Sequence, residues 1–377
     1  MVNSKKEINN NNNKNHTCWV LFPFRGLDII DEQHNLFQPA FGDFTVVSKN
    51  HIRQIIKLLN LSKDPIHGEQ NEHDTIYMVE NATFREDFHS FIAVRRRGNF
   101  SIKNPMPKWV KDAKARAYQI AALFTLVFLA ESASGETCGL VEQLHKQTQS
   151  TIMFDIDNGG FMFQSGGRYH LRIQPLHEAI ILSLNELKQT LYKDQYQHLA
   201  NALLPQRSLL PKSLSHAIAQ AAVRLSDAIH SVTPSSQLLG AVTAMEILLA
   251  SQSEKYESIT NRLSALLGNE SLIQHDVETV LQSRHLYVHQ GQEIEEIEIS
   301  LKAVGLALSS LLHYAKIAPL FTGKDELVNY LDFIHSGDNL SAHWNEVQQR
   351  TFHNLQEHER KTVELPFLES LSKVILM

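Results

Sequence analysis

The chain has 377 residues, 43% of them hydrophobic and 20% charged, with a formal net charge of −6. That length can bury a sizeable core in two or three ordinary domains, and the acidic balance excludes global attraction to nucleic acid, so any such contact needs a local basic patch. Two cysteines, Cys18 and Cys138, exclude a disulfide framework, and no CxxC pair offers metal-ligand spacing.

The opening MVNSKKEINNNNNKNH is polar and Asn-rich, lacks the apolar segment of a secretory signal, and reads as a disordered tail over 1–16. CWVLFPFRGLDII and FGDFTVVSKNHI read as short strands with turn residues between them. Ile52, Ile55, Ile56 and Leu59 fall at helical spacing and predict a helix over 50–61; DTIYMVE is a further strand. Pro105 and Pro107 precede a helix predicted from about 108 to 131. Its apolar run IAALFTLVFLA, 120–130, is well short of the roughly 20 residues of a membrane span. A buried core helix in a cytoplasmic protein, with no membrane partner, is therefore the expectation. TIMFDIDNGGFMFQSGGRYHLRI holds two or three strands with Gly-Gly turns, a hairpin signature. Residues 17–175 are thus expected to form a mixed α+β domain.

From 176 to 377 the pattern is helical throughout, with helices predicted at about 176–203, 212–231, 236–251, 258–267, 274–289, 295–317, 324–335 and 339–359. LLPQRSLLPKS, with its two prolines, is a connector. LLGAVTAMEILLA and LKAVGLALSSLLHYA are apolar over a wide face, as central helices of a bundle are. No internal repeat is visible.

Basic residues concentrate in RRRGNFSIKNPMPKWVKDAKAR, 95–116, which carries eight Lys or Arg against the single acid Asp112, with Phe100 and Trp109 interleaved. One reading is a solvated surface that keeps the protein soluble. The other is a phosphate-contacting patch with aromatics for base stacking, in which Arg95, Arg96, Arg97 and Lys103 are the candidate RNA contacts.

The segment LQSRHLYVHQG, 281–291, is the densest in chemistry. Leu281, Leu286 and Val288 suffice to bury a helix there, so Arg284, His285 and His289 need another explanation. Asp276 is placed as its N-cap and Gly291 just past its end, as a C′ residue. His285 and His289, four apart, share a face; Arg284 and His289, five apart, diverge by about 140° on an ideal helix. These two converge on one ligand only if the last turn loosens or a second copy of the helix contributes.

Four uses compete. His289 can complement the helix dipole while Arg284 pairs with a core carboxylate. His285 and His289 have zinc-compatible spacing, but the glutamate of HExxH is absent and no third ligand is near in sequence. Nucleophilic catalysis lacks a GxSxG or a Cys/His arrangement. Phosphodiester cleavage fits the residue types: the RNA 2′-OH is the nucleophile, histidine titrates near neutral pH and serves as base or acid, and arginine forks onto the phosphate. Glu246 in AMEILL is a lone acid on an apolar helix; it either reaches the surface from the helix edge or orients Arg284.

SRHLYVHQG resembles the HEPN signature, an Arg, a polar residue, a short spacer and a His at a helix end, with Arg284, His285 and His289 at the matching positions. The order LLGAVTAMEILLAS, SITNRLSALLGNE, VETVLQSRHLYVHQG is similar to the Apea-like branch, found among bacterial antiviral proteins, over roughly 210–320. The resemblance implies an all-α HEPN-like bundle of four or five helices that homodimerises, with the two signature helices meeting across the two-fold axis. The implied activity is metal-independent endoribonuclease with no cofactor, toxin-like or in phage defence, acting on RNA through Arg284 and His289 with His285 assisting. A protein trigger or antitoxin is a further implied partner. Some members of the family instead serve as catalytically silent dimerisation, RNA-binding or sensor modules. Glu293, Glu295, Glu296 and Glu298 follow the motif; they favour the start of the next helix but would repel RNA if they faced the cleft.

Overall fold

The structure, a computed structural model, describes residues 16–24, 27–30, 40–48, 51, 63–64, 68–69, 90–98, 108–134, 151–155, 160–164, 180–205, 208–231, 233–251, 256–268, 271–294 and 297–336. The Asn-rich tail before residue 16, the expected helix over 50–61 (apart from residue 51), the expected strand DTIYMVE, the helix expected at 339–359 and Lys103 lie outside them. The chain runs β1 (His16–Phe24), β2 (Leu27–Ile29), β3 (Phe44–Ser48), β4 (Lys63–Asp64), β5 (Gly68–Glu69), β6 (Ser90–Gly98), α1 (Lys108–Ser134), β7 (Thr151–Asp155), β8 (Gly160–Gln164), β9 (Ile180–Leu182) and α2 (Leu184–Leu191). Then follow α3 (Gln197–Leu203), α4 (Lys212–Ile229), α5 (Pro234–Leu249), α6 (Tyr256–Leu267), α7 (Ser271–Gln290), α8 (Ile297–Ile317), a 3₁₀ turn (Ala318–Leu320) and α9 (Lys324–Ser336). A mixed α+β portion is thus followed by helices. Two compact units form, 1–121 with 131–188, and 122–130 with 189–377.

The first unit is built on a sheet in the order β3-β6-β1-β7-β8-β4-β5. Cys18, Trp19, Val20, Leu21 and Phe22 of β1 are each no more than 1% exposed, so this strand is covered on both faces and shows a continuous apolar run instead of alternation. The Cys18 thiol donates to the Gly98 carbonyl at 3.6 Å. β6 lies antiparallel beside β1, with His16 opposite Gly98 and Phe24 opposite Ser90. β7 and β8 form the antiparallel hairpin that the Gly-Gly turn predicts. At the end of β6 a Cβ on residue 98 would overlap the Trp109 indole, so Gly98 lets the first turn of α1 close on the strand.

The helix expected over 176–203 is replaced by β9, α2 and α3. Ile180, Ile181 and Leu182 pair in parallel with Leu27, Asp28 and Ile29, and the Ile30 amide extends the ladder to the Leu182 carbonyl at 3.1 Å. Ser183 and Glu186 then close a capping box. The Ser183 hydroxyl accepts from the Glu186 amide at 3.2 Å and the Glu186 carboxylate accepts from the Ser183 amide at 2.7 Å. The box fixes the start of α2 at residue 184 and so ends the strand before it.

In the second unit α4 with α5 and α5 with α8 make the most extensive helix pairs. Leu238, Ala241, Val242, Met245 and Leu248 of α5 are all buried, which puts this helix at the centre, as its wide apolar face predicts. Thr233 caps its start, accepting from the Ser236 amide at 3.2 Å, with Pro234 in the first turn. Among the described residues, 108–131 and 297–320 are long and apolar enough to cross a membrane by length and composition; 67% and 50% of the respective windows are buried inside the protein.

Candidate functional site

The site grows from the C-terminal half of α7. Val277 and Val280 are fully buried and anchor the helix, while Gln282, His285 and His289 lie on its exposed side. α7 starts at Ser271, earlier than the cap expected at Asp276. Asp276 is therefore inside the helix, where its carboxylate accepts from Lys302 Nζ of α8 at 2.8 Å. That ion pair, not a free amide at a helix start, is what the aspartate satisfies.

The helix ends as the sequence predicts. Gly291 takes φ +67°; its amide donates to the Tyr287 carbonyl at 3.1 Å, as in an αL cap, and the Gln292 amide reaches back to the Leu286 carbonyl at 3.4 Å. The last turn stays α-helical through Gln290, so it does not loosen to bring Arg284 and His289 together. Beyond it the chain is pinned to the first turn of α5. The Ser235 hydroxyl, 1% exposed, donates to the Glu293 carboxylate at 2.7 Å and accepts from the Ile294 amide at 2.9 Å. Glu293 thus sits at the positive end of α5, and Glu298 lies in the first turn of α8, both favoured by the helix dipoles. Glu295 and Glu296 lie outside the described residues.

Arg284 and the histidines leave α7 in different directions. Arg284 Nη2 donates to Glu246 Oε1 of α5 at 3.3 Å, with side chains 16% and 24% exposed. Glu246 therefore meets Arg284 and is not a carboxylate merely reaching water from the helix edge. Partial exposure makes this a modest contributor to stability, and its consequence is positional: one nitrogen of the guanidinium is held at α5. His285 and His289 lie together, ring centroids 4.6 Å apart and planes inclined by 41°. One chain thus carries a paired cation on one side of the helix and two adjacent exposed imidazoles on another. Among the described residues, no group of three or more His, Cys, Asp or Glu gathers as a metal-ligand set.

The basic stretch divides. Arg95 and Arg97 are exposed on β6, whereas Arg96 Nη1 donates to Asp43 Oδ2 at 2.7 Å. Arg116, 8% exposed, approaches the other oxygen of Asp43 at 3.3 Å and lies over the Phe44 ring at 5.8 Å. Burial pushes its guanidinium below the ordinary value, opposed by the Asp43 charge. Asp43 is 3% exposed, so two of the eight basic residues serve a buried carboxylate, a use that their clustering in sequence did not reveal.

Sequence reasoning also missed Arg262. Its Nε and Nη2 grip both oxygens of Asp332 at 2.6 Å, and its Nη1 donates to the Leu249 carbonyl at 2.7 Å. The available signal was a single cation within the apolar SITNRLSALL, of the same kind as the lone acid Glu246. Compared with family models, curated proteins and solved structures, the chain matches none.

Proposed function

We propose that the second unit is a metal-independent endoribonuclease of HEPN type, homodimeric and cytoplasmic, toxin-like or acting in phage defence. The observation that supports it best is the arrangement on α7: Arg284 is held by a carboxylate while two histidines lie exposed five and one residues along the same helix. The divergence of Arg284 from His289 calls for a second copy, so that the arginine of one chain meets the histidines of the other across a two-fold axis. In that cleft a histidine takes the proton of the 2′-OH, the oxygen attacks the adjacent phosphorus, and the 5′-oxygen leaves with a proton from a second acid. Arg284 carries the charge that develops on the phosphoryl oxygens. His289 is the principal proton-transfer group, His285 assists, and Glu246 orients Arg284. In the same reading Arg95 and Arg97 contact RNA phosphates from the first unit, and Lys103 and Arg96 were the other candidates there.

The experiment is RNA cleavage by purified wild type and His289→Ala. The variant is expected to stay folded and dimeric and to lose about 10²–10⁴-fold in rate, the usual contribution of a general acid or base. Equal cleavage by the two, or activity abolished by EDTA, rejects the reading. A second reading, a catalytically silent dimerisation, RNA-binding or sensor module, is favoured by one observation: a single chain directs Arg284 and His289 apart, so these two do not form a centre within it. Binding of RNA without cleavage by the dimer would select it.

A further inference from the structure

α5 ends without a stop of its own. Ala250 and Ser251 follow Leu249, with neither Gly nor Asn to form a left-handed cap, and Ala250 is extended at φ −78°, ψ 135°. The last carbonyls of a helix need partners, and here side chains from elsewhere supply them. Lys324 Nζ donates to the Ile247 carbonyl at 2.8 Å, and Arg262 Nη1 to the Leu249 carbonyl at 2.7 Å. Two cations at a helix C-terminus are also favoured by its dipole. Lys324 opens α9. Arg262 belongs to α6, but its fork is held on both oxygens by Asp332 of α9 at 2.6 Å, and the guanidinium is only 2% exposed. Both fixings of this turn therefore depend on α9, and the turn carries Glu246, the partner of Arg284.

We propose that α9 is a clamp on the Arg284–Glu246 pair, through which the placement of this helix regulates the site. Arg262, Asp332 and Lys324 are then positioning residues; the clamp's geometry stands alone, and its effect on catalysis rests on the ribonuclease reading. A bidentate arginine–carboxylate pair is directional, so it transmits the placement of α9 to the α5 turn rather than simply adding attraction. Release of α9 frees the Ile247 and Leu249 carbonyls, the turn frays, and Glu246 no longer aims Arg284. Misplacement of a charge-stabilising group by about 1 Å can cost on the order of 10²-fold in rate.

The test labels the full chain with ¹⁵N-arginine, assigns the Arg284 Nε–H signal with Arg284→Lys, and measures its hydrogen exchange. Removal of Arg262 endangers the fold, so the variants are Asp332→Asn, at a half-exposed position, and Lys324→Met. Each is expected to speed Arg284 Nε–H exchange at least about tenfold while the α4 amides around Ala221 keep the wild-type rate. An unchanged Arg284 rate overturns the clamp, and so does equal acceleration of the α4 amides, which would mark a general loss of stability. Cleavage is followed in parallel. In an active chain Asp332→Asn lowers kcat with KM kept, and an unchanged kcat overturns the positioning role. A wild type that binds but does not cleave RNA removes the ribonuclease reading, while the exchange rates still decide the clamp.

Discussion

Ser183 and Glu186 show how much one pair of side chains can redirect. Their capping box starts α2 where the apolar pattern alone continues a helix from 176, and the three residues before it are left to pair with β2. The Ser183 amide and hydroxyl hold the Glu186 carboxyl below the ordinary carboxylate value. Its folded value being depressed, the cap's contribution is fully present above the unfolded value and is lost as pH falls through the folded one. Amide exchange in the first turn of α2 is therefore expected to rise as pH drops below the ordinary carboxylate range, after correction for intrinsic rates. Glu186→Gln should flatten that response, and a turn equally protected on both sides of that range would contradict the assignment. Glu246 was legible in the sequence for a related reason: a charge on an apolar helix needs a partner, and Arg284 supplies it although the cations at 255 and 262 are nearer in sequence. Asp43 with Arg96 and Arg116 was not legible, because the partners lie 53 and 73 residues from the aspartate, one on β6 and one on α1, and only the tertiary fold brings them together.

Helices α4 and α5 touch at backbone distance. A Cβ on residue 240 would lie 2.6 Å from the Ala228 Cβ and 3.2 Å from its Cα, atoms that cannot swing aside. On α8, a Cβ on residue 305 meets nothing within 4 Å. The same substitution should thus have opposite signs. Gly240→Ala is expected to destabilise by up to about 2 kcal/mol, since an overpacking cost of roughly 1–3 kcal/mol is set against a helix-propensity gain of about 1 and both blocking atoms are fixed. Gly305→Ala is expected to stabilise by about 0.5–1 kcal/mol. Urea unfolding of both variants checks this, and a shared sign would mean that the close approach is not what Gly240 provides. Elements with long periodic patterns were readable: α4 to α9 begin and end within three residues of the spans their apolar spacing predicts. What the pattern could not supply is how a helix without a terminating residue stops. α5 is stopped by Arg262 and Lys324, 13 and 77 residues along from the carbonyls they cap, and no local rule reaches that far.

The two compact units divide the proposed work, and a salt titration separates their roles. Arg96 is committed to Asp43, so the informative change is Arg95→Gln with Arg97→Gln, which leaves the buried pair intact. Loss of two phosphate contacts on single-stranded RNA should reduce the slope of log affinity against log salt by about 1.4, at ~0.7 per contact. An unchanged slope would mean that β6 does not touch RNA. Cleavage at α7 is a separate readout, so failure of the patch would leave the second unit's chemistry standing. The register of β1 against β6 also carries its own reporter. Cys18 lies between both neighbouring strands with no exposed surface, and its thiol is turned toward Gly98. An alkylating reagent can reach that sulfur only when the packing around β1 opens. With Cys138 replaced by serine, the alkylation half-time becomes a clock for the opening of the sheet around β1, and because Cys18 lies opposite Arg96, RNA held by β6 should lengthen it.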